Sequence, residues 1–454
     1  MPSPLVRVVV LNYNGHPYLA RTLDHLLATD WPPDRLDIVV IDNASTDDSR
    51  DEAAARAPAV RLIDSPENTG FPANNLALTD LHDVDHVALV NSDAFVEPGW
   101  LAPLVEALEA DPSLGATCPR ILLAHRFVDV AITTPAFWPG GGDPRELGVR
   151  LTGVRADGAD VWQYLQPGPG VHGIETSASG SPFRWTAAEA VVRAPVSDGP
   201  GAGPWRLELD FESPGRPTSL TVAVGSHRVH VEIVEEASIS IETDGPLIDV
   251  VNNAGSVVLH DGSGADRGFL EPDGDAFDRP ADVFAWCGAA VVLRPEYLAD
   301  VGLFDERFFL YYEDTDLSWR GRLRGWRYRY VPESRVRHLH AASSVEGSPM
   351  FRYFTERNRL LMLTKNAPGR LAWRAPLRFL WSTAAYARRD IVTPVLRARR
   401  PDTGLVRSRL RSFTGWLVRM PAMYADRRRI RRGAVLDDDE VEAQLAESPR
   451  VTAA

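Results

Sequence analysis

Lysine is nearly missing from this chain: among 454 residues it occurs once, at Lys365, so arginine supplies almost all the positive charge. We read that as the bias of a GC-rich coding sequence rather than as chemistry. Cysteine is almost as scarce. Cys118 and Cys287 stand far apart and match no metal-ligand spacing, which predicts two reduced, buried thiols in a cytoplasmic protein. No apolar run reaches the roughly 18 residues that a membrane-spanning helix needs. The strand-like RVVVL begins within a few residues of Met1, so no secretory leader is expected. No G-x-G-x-x-G follows that strand, where LNYNG stands instead, and this argues against a dinucleotide-binding dehydrogenase. Internal repeats are also lacking.

What is present is ordinary globular material, 44% hydrophobic and 24% charged, enough for two or three domains. Net charge is −13 but unevenly spread. Between Arg370 and Arg432, 17 arginines face three aspartates, a net of +14, which leaves −27 on the rest.

Residues 6–125 alternate strand and helix in four β-α units: RVVVLNY, LDIVVIDN, VRLIDS and HVALVNSD are strand-like, each followed by a helical pattern. In STDDSRDEAAARA, Ser45 or Thr46 is the expected helix cap. The alternation predicts a doubly wound parallel α/β sheet with ligands at the carboxyl ends of its strands. Those ends carry amides and acids: Asn12-Tyr13-Asn14, Asp42-Asn43, Asn68-Thr69-Gly70 and Asn91-Ser92-Asp93. From about Phe137 helical periodicity gives way to alternating runs such as WRLELDF and SLTVAVGSHRVHVEI, with Gly225-Ser226 as a hairpin turn. We expect one half of the α/β domain over 1–140 and an inserted antiparallel β-sandwich-like domain over 141–250. The other half should occupy 251–368, basic amphipathic helices 369–436 and a frayed acidic tail 437–454.

Two stretches concentrate chemistry. VALVNSDAFVEP delivers Asn91 and Asp93 to one side of a strand end, a pair of oxygen ligands suited to Mg²⁺ or Mn²⁺. The plainer reading makes Asn91 and Ser92 helix caps and Asp93 a solvated turn residue. FFLYYEDTDLSWR sets Glu313, Asp314 and Asp316 directly behind an aromatic run, where carboxylates are costly to bury unless paired, ligated or used. There the plainer reading is a helix N-terminus favoured by its dipole.

Together with VVVLNYNG (8–15), VVIDNASTDDS (39–49), ENTGFPANN (67–75), WCGAAVVLRPEYLADVGLFDERFF (286–309) and VPESRVRHLHAASS (331–344), these stretches resemble the inverting family 2 glycosyltransferases. The likeness is greatest to the rhamnosyltransferase-like bacterial branch, and it runs in order through most of 6–368 outside the insert. It implies a GT-A fold, a Rossmann-like mixed sheet with helices on both faces. It also implies transfer of a sugar, rhamnose favoured, from a nucleotide diphosphate donor to a glycan or lipid-linked glycan in cell-wall or polysaccharide assembly. Site roles follow from the same resemblance. The donor falls to Leu11, Asn12, Tyr13, Asn14, Asp42, Asn68, Gly70, Phe71, Asn75, Asn91 and Ser92, with Asp42 accepting from a pyrimidine N3–H and Gly70 admitting close backbone approach. NSD takes the D-x-D position, leaving Asp93 as metal carboxylate with His338, and His340 as its near neighbour. Asp314 is the catalytic base, its pKa raised by partial desolvation. Trp286, Glu313, Asp316 and Arg320 belong to the acceptor side or support the base, with Asp316 pairing Arg320. Arg357 and Arg359 are read as solvated helix charges.

The C-terminal helices, basic and studded with Trp, Phe and Leu, suggest a peripheral association with the inner face of an anionic membrane. Docking onto the protein's own acidic domain is the competing reading, and no nucleic-acid motif is present. For the insert, Trp162, Trp185 and Trp205 are candidates for stacking on sugars, or for core. The alternative function is a catalytically inactive GT-A domain that binds glycan.

Overall fold

The computed structural model describes residues 3–140, 143–177, 179–197, 203–339 and 348–447. The chain forms two compact units: Met1–Ala124 with Val251–Phe269 and Gly274–Pro449, and His125–Val250 with Leu270–Asp273.

The first unit is built on a ten-stranded mixed sheet. Its strands are β1 (Val6–Asn12), β2 (Leu36–Asp42), β3 (Val60–Asp64), β4 (His86–Asn91), β5 (Ala94–Val96), β6 (Leu114–Leu123), β7 (Val251–Asn253), β8 (Ala281–Val283), β9 (Ala290–Leu293) and β10 (Arg327–His338). The order is β8-β10-β6-β9-β4-β1-β2-β3, with β7 on β6 and β5 on β10. Alternation along β1 sends Val6, Val8 and Val10 into one core cluster and Val9 into another. Both faces are therefore covered, as the continuous apolar strands require. Helices α1 (Tyr18–Leu27) and α2 (Leu101–Ala110) pack on the first face. Tyr297 and Leu298 of α3 (Pro295–Val301) and Leu317 of α4 (Glu313–Leu323) pack on the second.

β1, β2, β3 and β4 are parallel, and β9 enters antiparallel between β4 and β6. The parallel pairing of these four strands is the one the β-α alternation predicts, and the antiparallel β9 gives the mixed sheet that the resemblance implies. β1 pairs with both β2 and β4. Strand order thus reverses there, and the crevice beyond such a point is where ligands bind in open α/β sheets.

The second unit is a pair of antiparallel sheets, of five and six strands, sharing one core. Thr218–Val224 and His227–Ile233 form the expected hairpin, with Gly225 at a left-handed φ of 54° in the turn. The unit begins at His125 rather than 141, because Arg126–Thr133 is already one of its strands. That strand read as a continuation of the preceding alternation, and the Gly/Pro cluster mistaken for a boundary lies inside the unit. Trp185 and Trp205 are buried and Trp162 is half-buried against the core, so the core reading of these tryptophans holds over sugar stacking.

The C-terminal helices are α5 (Pro349–Asn366), α6 (Gly369–Ala387) and α7 (Gly404–Arg432). The acidic tail is not frayed through residue 447. Asp437 caps the helix Asp438–Glu442 with a full capping box, Val441 and Leu445 join the core, and Ala446 N–H donates to Val258 O at 2.8 Å. Its acids find the basic helices: Asp438 pairs Arg431 at 2.5 Å.

Candidate active site

The strand ends are cross-tied by amides. Asn12 Nδ2 donates to Asp42 Oδ1 (3.0 Å), Ser45 Oγ (3.1 Å) and Ser49 Oγ (2.8 Å). Ser45 is therefore not the helix cap: its hydroxyl serves the β1 end, and the following helix starts at Ser49. Asp42 is buried, with Oδ2 accepting from Ser45 N–H at 3.1 Å, so its carboxylate organises this loop before it can meet any base. Tyr13 and Asn14 stand exposed beside it, Asn14 Oδ1 accepting from Thr46 N–H at 2.7 Å, while Leu11 packs partly into the core. Asn43 was missed. It bonds Asn68 Oδ1 (2.9 Å), Gly70 O (3.2 Å) and Thr69 N–H (3.1 Å), joining two strand ends.

In the ENTGFPANN segment three expectations change. Gly70 is required, at φ 73°, because a Cβ there would lie 1.9 Å from Phe309 O; the close approach is to the loop before α4. Phe71 is buried edge-on against Phe304 at 5.2 Å, as core rather than donor wall. Both ends of the Asn75 amide are spent on the Phe304 backbone, at 2.9 and 3.1 Å.

Asp93 and His338 converge. His338 lies on β10, whose last residues pair with β5 just after Asp93, and its Nε2 is 3.2 Å from Asp93 Oδ1. His338 Nδ1 meets Asn252 Oδ1 at 2.9 Å. An imidazole that donates through Nδ1 to an amide oxygen turns its Nε2 lone pair toward the carboxylate, the arrangement of an oriented metal ligand. Neighbouring ligands at about 2.1 Å from an octahedral ion are about 3.0 Å apart, so the pair has the right bite. Among the described residues no third His, Cys, Asp or Glu joins them. His340 lies outside the described residues.

Asp314 sits in the first turn of α4, partly exposed. Thr315 donates to Oδ1 through its N–H (2.6 Å) and its hydroxyl (3.1 Å), and Gly288 N–H donates to Oδ2 at 3.2 Å. Burial pushes the Asp314 pKa up, those hydrogen bonds oppose it, and the Asp266 charge adds to the rise. Asn91 N–H donates to Ala289 O at 3.0 Å, so one short turn links the NSD strand end to the carboxylate. Ser92 stands half-buried next to it. Asn252, Asn253 and Asp266 complete the surroundings, with Asn253 Nδ2 on Asp266 Oδ1 at 2.6 Å. Sequence reasoning missed these three, although for Asn252 and Asn253 VVNNAG carries the same signal as the other strand ends, an apolar strand finishing in amides.

Glu313 is buried, its pKa raised well above the usual range by burial and by Asp314 and Asp316. Asp316 points the other way, fully buried among Arg320 Nε (3.0 Å), Lys365 Nζ (2.8 Å) and Asn366 Nδ2 (2.7 Å). Arg320 also caps the Leu303 carbonyl at 2.7 Å, so these two residues anchor α4. Trp286, expected at the acceptor face, is fully buried against Phe304, since its indole fills the core layer under the turn.

The loop before α4 is unusual. Phe309, Tyr311 and Tyr312 all have φ near +70°, a region costly for aromatic residues. What holds it is α5. Asn358 Nδ2 donates to the carbonyls of Phe308 (2.9 Å), Leu310 (2.8 Å) and Tyr311 (2.8 Å), and Arg357 donates to those of Arg307 (3.0 Å) and Phe308 (2.7 Å). Arg357 is thus a buried clamp rather than a solvated charge, and Arg359 donates to Asp261 O at 3.1 Å.

Amide-rich strand ends at a switch point, with an oriented carboxylate beside them, make this the place where an open α/β sheet takes a ligand. Residues 7–125 match the model of Glycosyl transferase family 2, and this part of the chain is a family 2 glycosyltransferase domain, rhamnosyltransferase-like in sequence. The chain is 24% identical over 421 residues to the N-acetylglucosaminyl-diphospho-decaprenol L-rhamnosyltransferase of Mycobacterium tuberculosis, covering 90% of this chain and 99% of that one. Glucosyl-dolichyl phosphate glucuronosyltransferase of Haloferax volcanii is 28% identical over 155 residues, 33% of this chain and 49% of that one. Among solved structures, GalNAc-T7 with UDP, GalNAc and Mn2+ aligns at TM-score 0.45 and 13% identity over 92% of this chain, which spans 57% of that protein's length. The mannosyltransferase PcManGT from Pyrobaculum calidifontis with GDP-Man and Mn2+ aligns at TM-score 0.40 and 15% identity, covering 94% and 87%.

Proposed function

We propose that the protein is an inverting glycosyltransferase that moves a sugar, rhamnose favoured, from a nucleotide diphosphate to a glycan carried on a lipid. The favoured sugar and acceptor rest on the likeness to the mycobacterial rhamnosyltransferase. The observation that carries the mechanism is Asp314: both oxygens oriented, the carboxyl partly exposed, its pKa raised, and one turn away from the NSD strand end.

In the reaction Asp314 takes the proton of the acceptor hydroxyl. That oxygen attacks the anomeric carbon while the bond to the diphosphate breaks on the opposite face, the nucleotide leaving with the bonding pair. The base then releases its proton to solvent. A pKa above the ordinary aspartate value makes Asp314 a better base for this step. Asp93 and His338 are the residues suited to hold a divalent cation, Mn²⁺ or Mg²⁺. Such an ion would offset the charge gathering on the departing diphosphate. Asn12, Tyr13, Asn14 and Asp42 frame the nucleoside end, with Asn43, Asn68 and Gly70 setting the adjoining loop.

The test is a panel of nucleotide-sugars offered with Mn²⁺, Mg²⁺ or EDTA, comparing wild type with Asp314→Asn. One donor consumed by wild type and spared by the variant supports the reading. No consumption of any donor, with glycan still bound, replaces it with the inactive binding domain.

A further inference from the structure

We infer that the outer face of α6 seats the protein on an anionic lipid bilayer. The helix is two-sided. Ala375, Pro376, Phe379 and Thr383 face the core, while Trp373 (67% exposed), Leu377 (64%), Leu380 and Trp381 (77%) form one outward stripe. The chain runs on through Arg388–Val392 to Leu396, with Val392, Val395 and Leu396 also exposed. Arg370, Arg374 and Arg378, spaced four apart and exposed, flank that stripe. Arg370 and Arg374 form no ion pair among the described residues.

Several arginines elsewhere in the basic segment are spent on the protein itself. Arg409 pairs Glu356 at 2.5 Å, and Arg427 and Arg431 donate to the carbonyls closing α5. Self-docking therefore accounts for the inner face and leaves α6 with unused charge beside unused tryptophan. Between α6 and α7, next to Trp373, opens an apolar groove of about 210 Å³ lined by Ala372, Pro376, Trp416, Met420 and Tyr424.

An amphipathic helix with aromatics and leucines flanked by arginine lies in the headgroup layer, the apolar stripe among acyl chains and the guanidiniums on phosphates. No described helix is long and apolar enough to cross the membrane, so this is seating and not insertion. Charge selects the occupant. A second copy docked face to face would set like arginine rows against each other. The remaining −27 of the chain is repelled by an anionic surface and turns this face toward it. The inference stands on surface chemistry and is independent of the donor and base assignments.

Flotation with vesicles of phosphatidylcholine, alone or with phosphatidylglycerol, tests it with the full chain. Wild type should float with the anionic vesicles only, and less as salt rises. Trp373→Ser with Trp381→Ser should weaken binding about tenfold. Arg374→Ser and Arg378→Ser should each weaken it about fivefold. A wild type that stays unbound, or variants that float like wild type, would overturn the inference. So would a wild-type dimer that the tryptophan pair dissociates. Should the variants misfold, hydrogen exchange of wild type decides: slowing over 369–396 on anionic vesicles supports the face, and unchanged exchange there rejects it.

Discussion

Two carboxylates two residues apart in the first turn of α4 live in opposite surroundings. Asp314 faces partial solvent with three neutral donors, its pKa raised by burial. Asp316 faces inward onto two cations and an amide. Asp305 shares Lys365 with it at 2.7 Å, and although burial pushes the Asp305 pKa up, Arg307 and Lys365 outweigh that and hold it far below the usual range. One side of the helix start is charged at a cost, and the other is charged because its partners demand it. The lesson is that acidity in a helix's first turn has no single meaning: the partner set assigns the role.

The comparison breaks most sharply on activity. Asp314→Asn should cut transfer by about 10³-fold, within the range of a lost general base, as read by donor turnover. The same change should leave the protein at least as stable at pH 7. A carboxyl whose folded pKa is raised weakens folding above its unfolded value, and that penalty fades as pH falls through the folded value. Melting temperatures of variant and wild type should therefore differ at pH 7 and converge in acid.

Asp316→Ala should do the reverse. It strands Lys365 and Arg320 in the core and should cost about 3–5 kcal/mol in urea unfolding. If the loss is small, the inner face is not an anchor. The inner side should also be acid-labile. The depressed Asp305 contributes stability above its unfolded pKa that disappears as pH falls below it, opposite in sign to Asp314.

Asn358→Ala tests what joins the two sides. It removes three hydrogen bonds from a loop with three left-handed aromatic residues. The expected outcome is a kcat about 10²-fold lower from a displaced base, with donor KM nearly unchanged. The smallest effect is in the pH profile: the acid limb of kcat should lie above about 3.9, the ordinary aspartate value, and vanish from the residual rate of Asp314→Asn.

Much of this was legible beforehand because strand ends advertise themselves. Amides and acids after an apolar run stand out; the helix start at Asp314 was readable from acids behind an aromatic run, whereas the partnership of Asp93 with His338 came only from the family resemblance. What the sequence hid was who spends each polar group. Asn75 looks like a ligand-binding amide until the Phe304 backbone consumes it, and Trp286 looks like a binding surface until the core closes over it. Arg357 read as a solvated helix charge, and Asn358 drew no notice, because nothing local says that a strained loop about 50 residues upstream needs their donors. Such debts are long-range, and periodicity carries no trace of them.

β6 ends and β7 begins as neighbours, Leu122 paired with Val251, and within the sandwich Phe127 pairs with Ile248. The chain leaves the sheet and returns to it through a doorway one strand spacing wide. Excising the sandwich at that doorway need not disturb either strand's register. Replacing 125–250 by a short turn should leave a folded core.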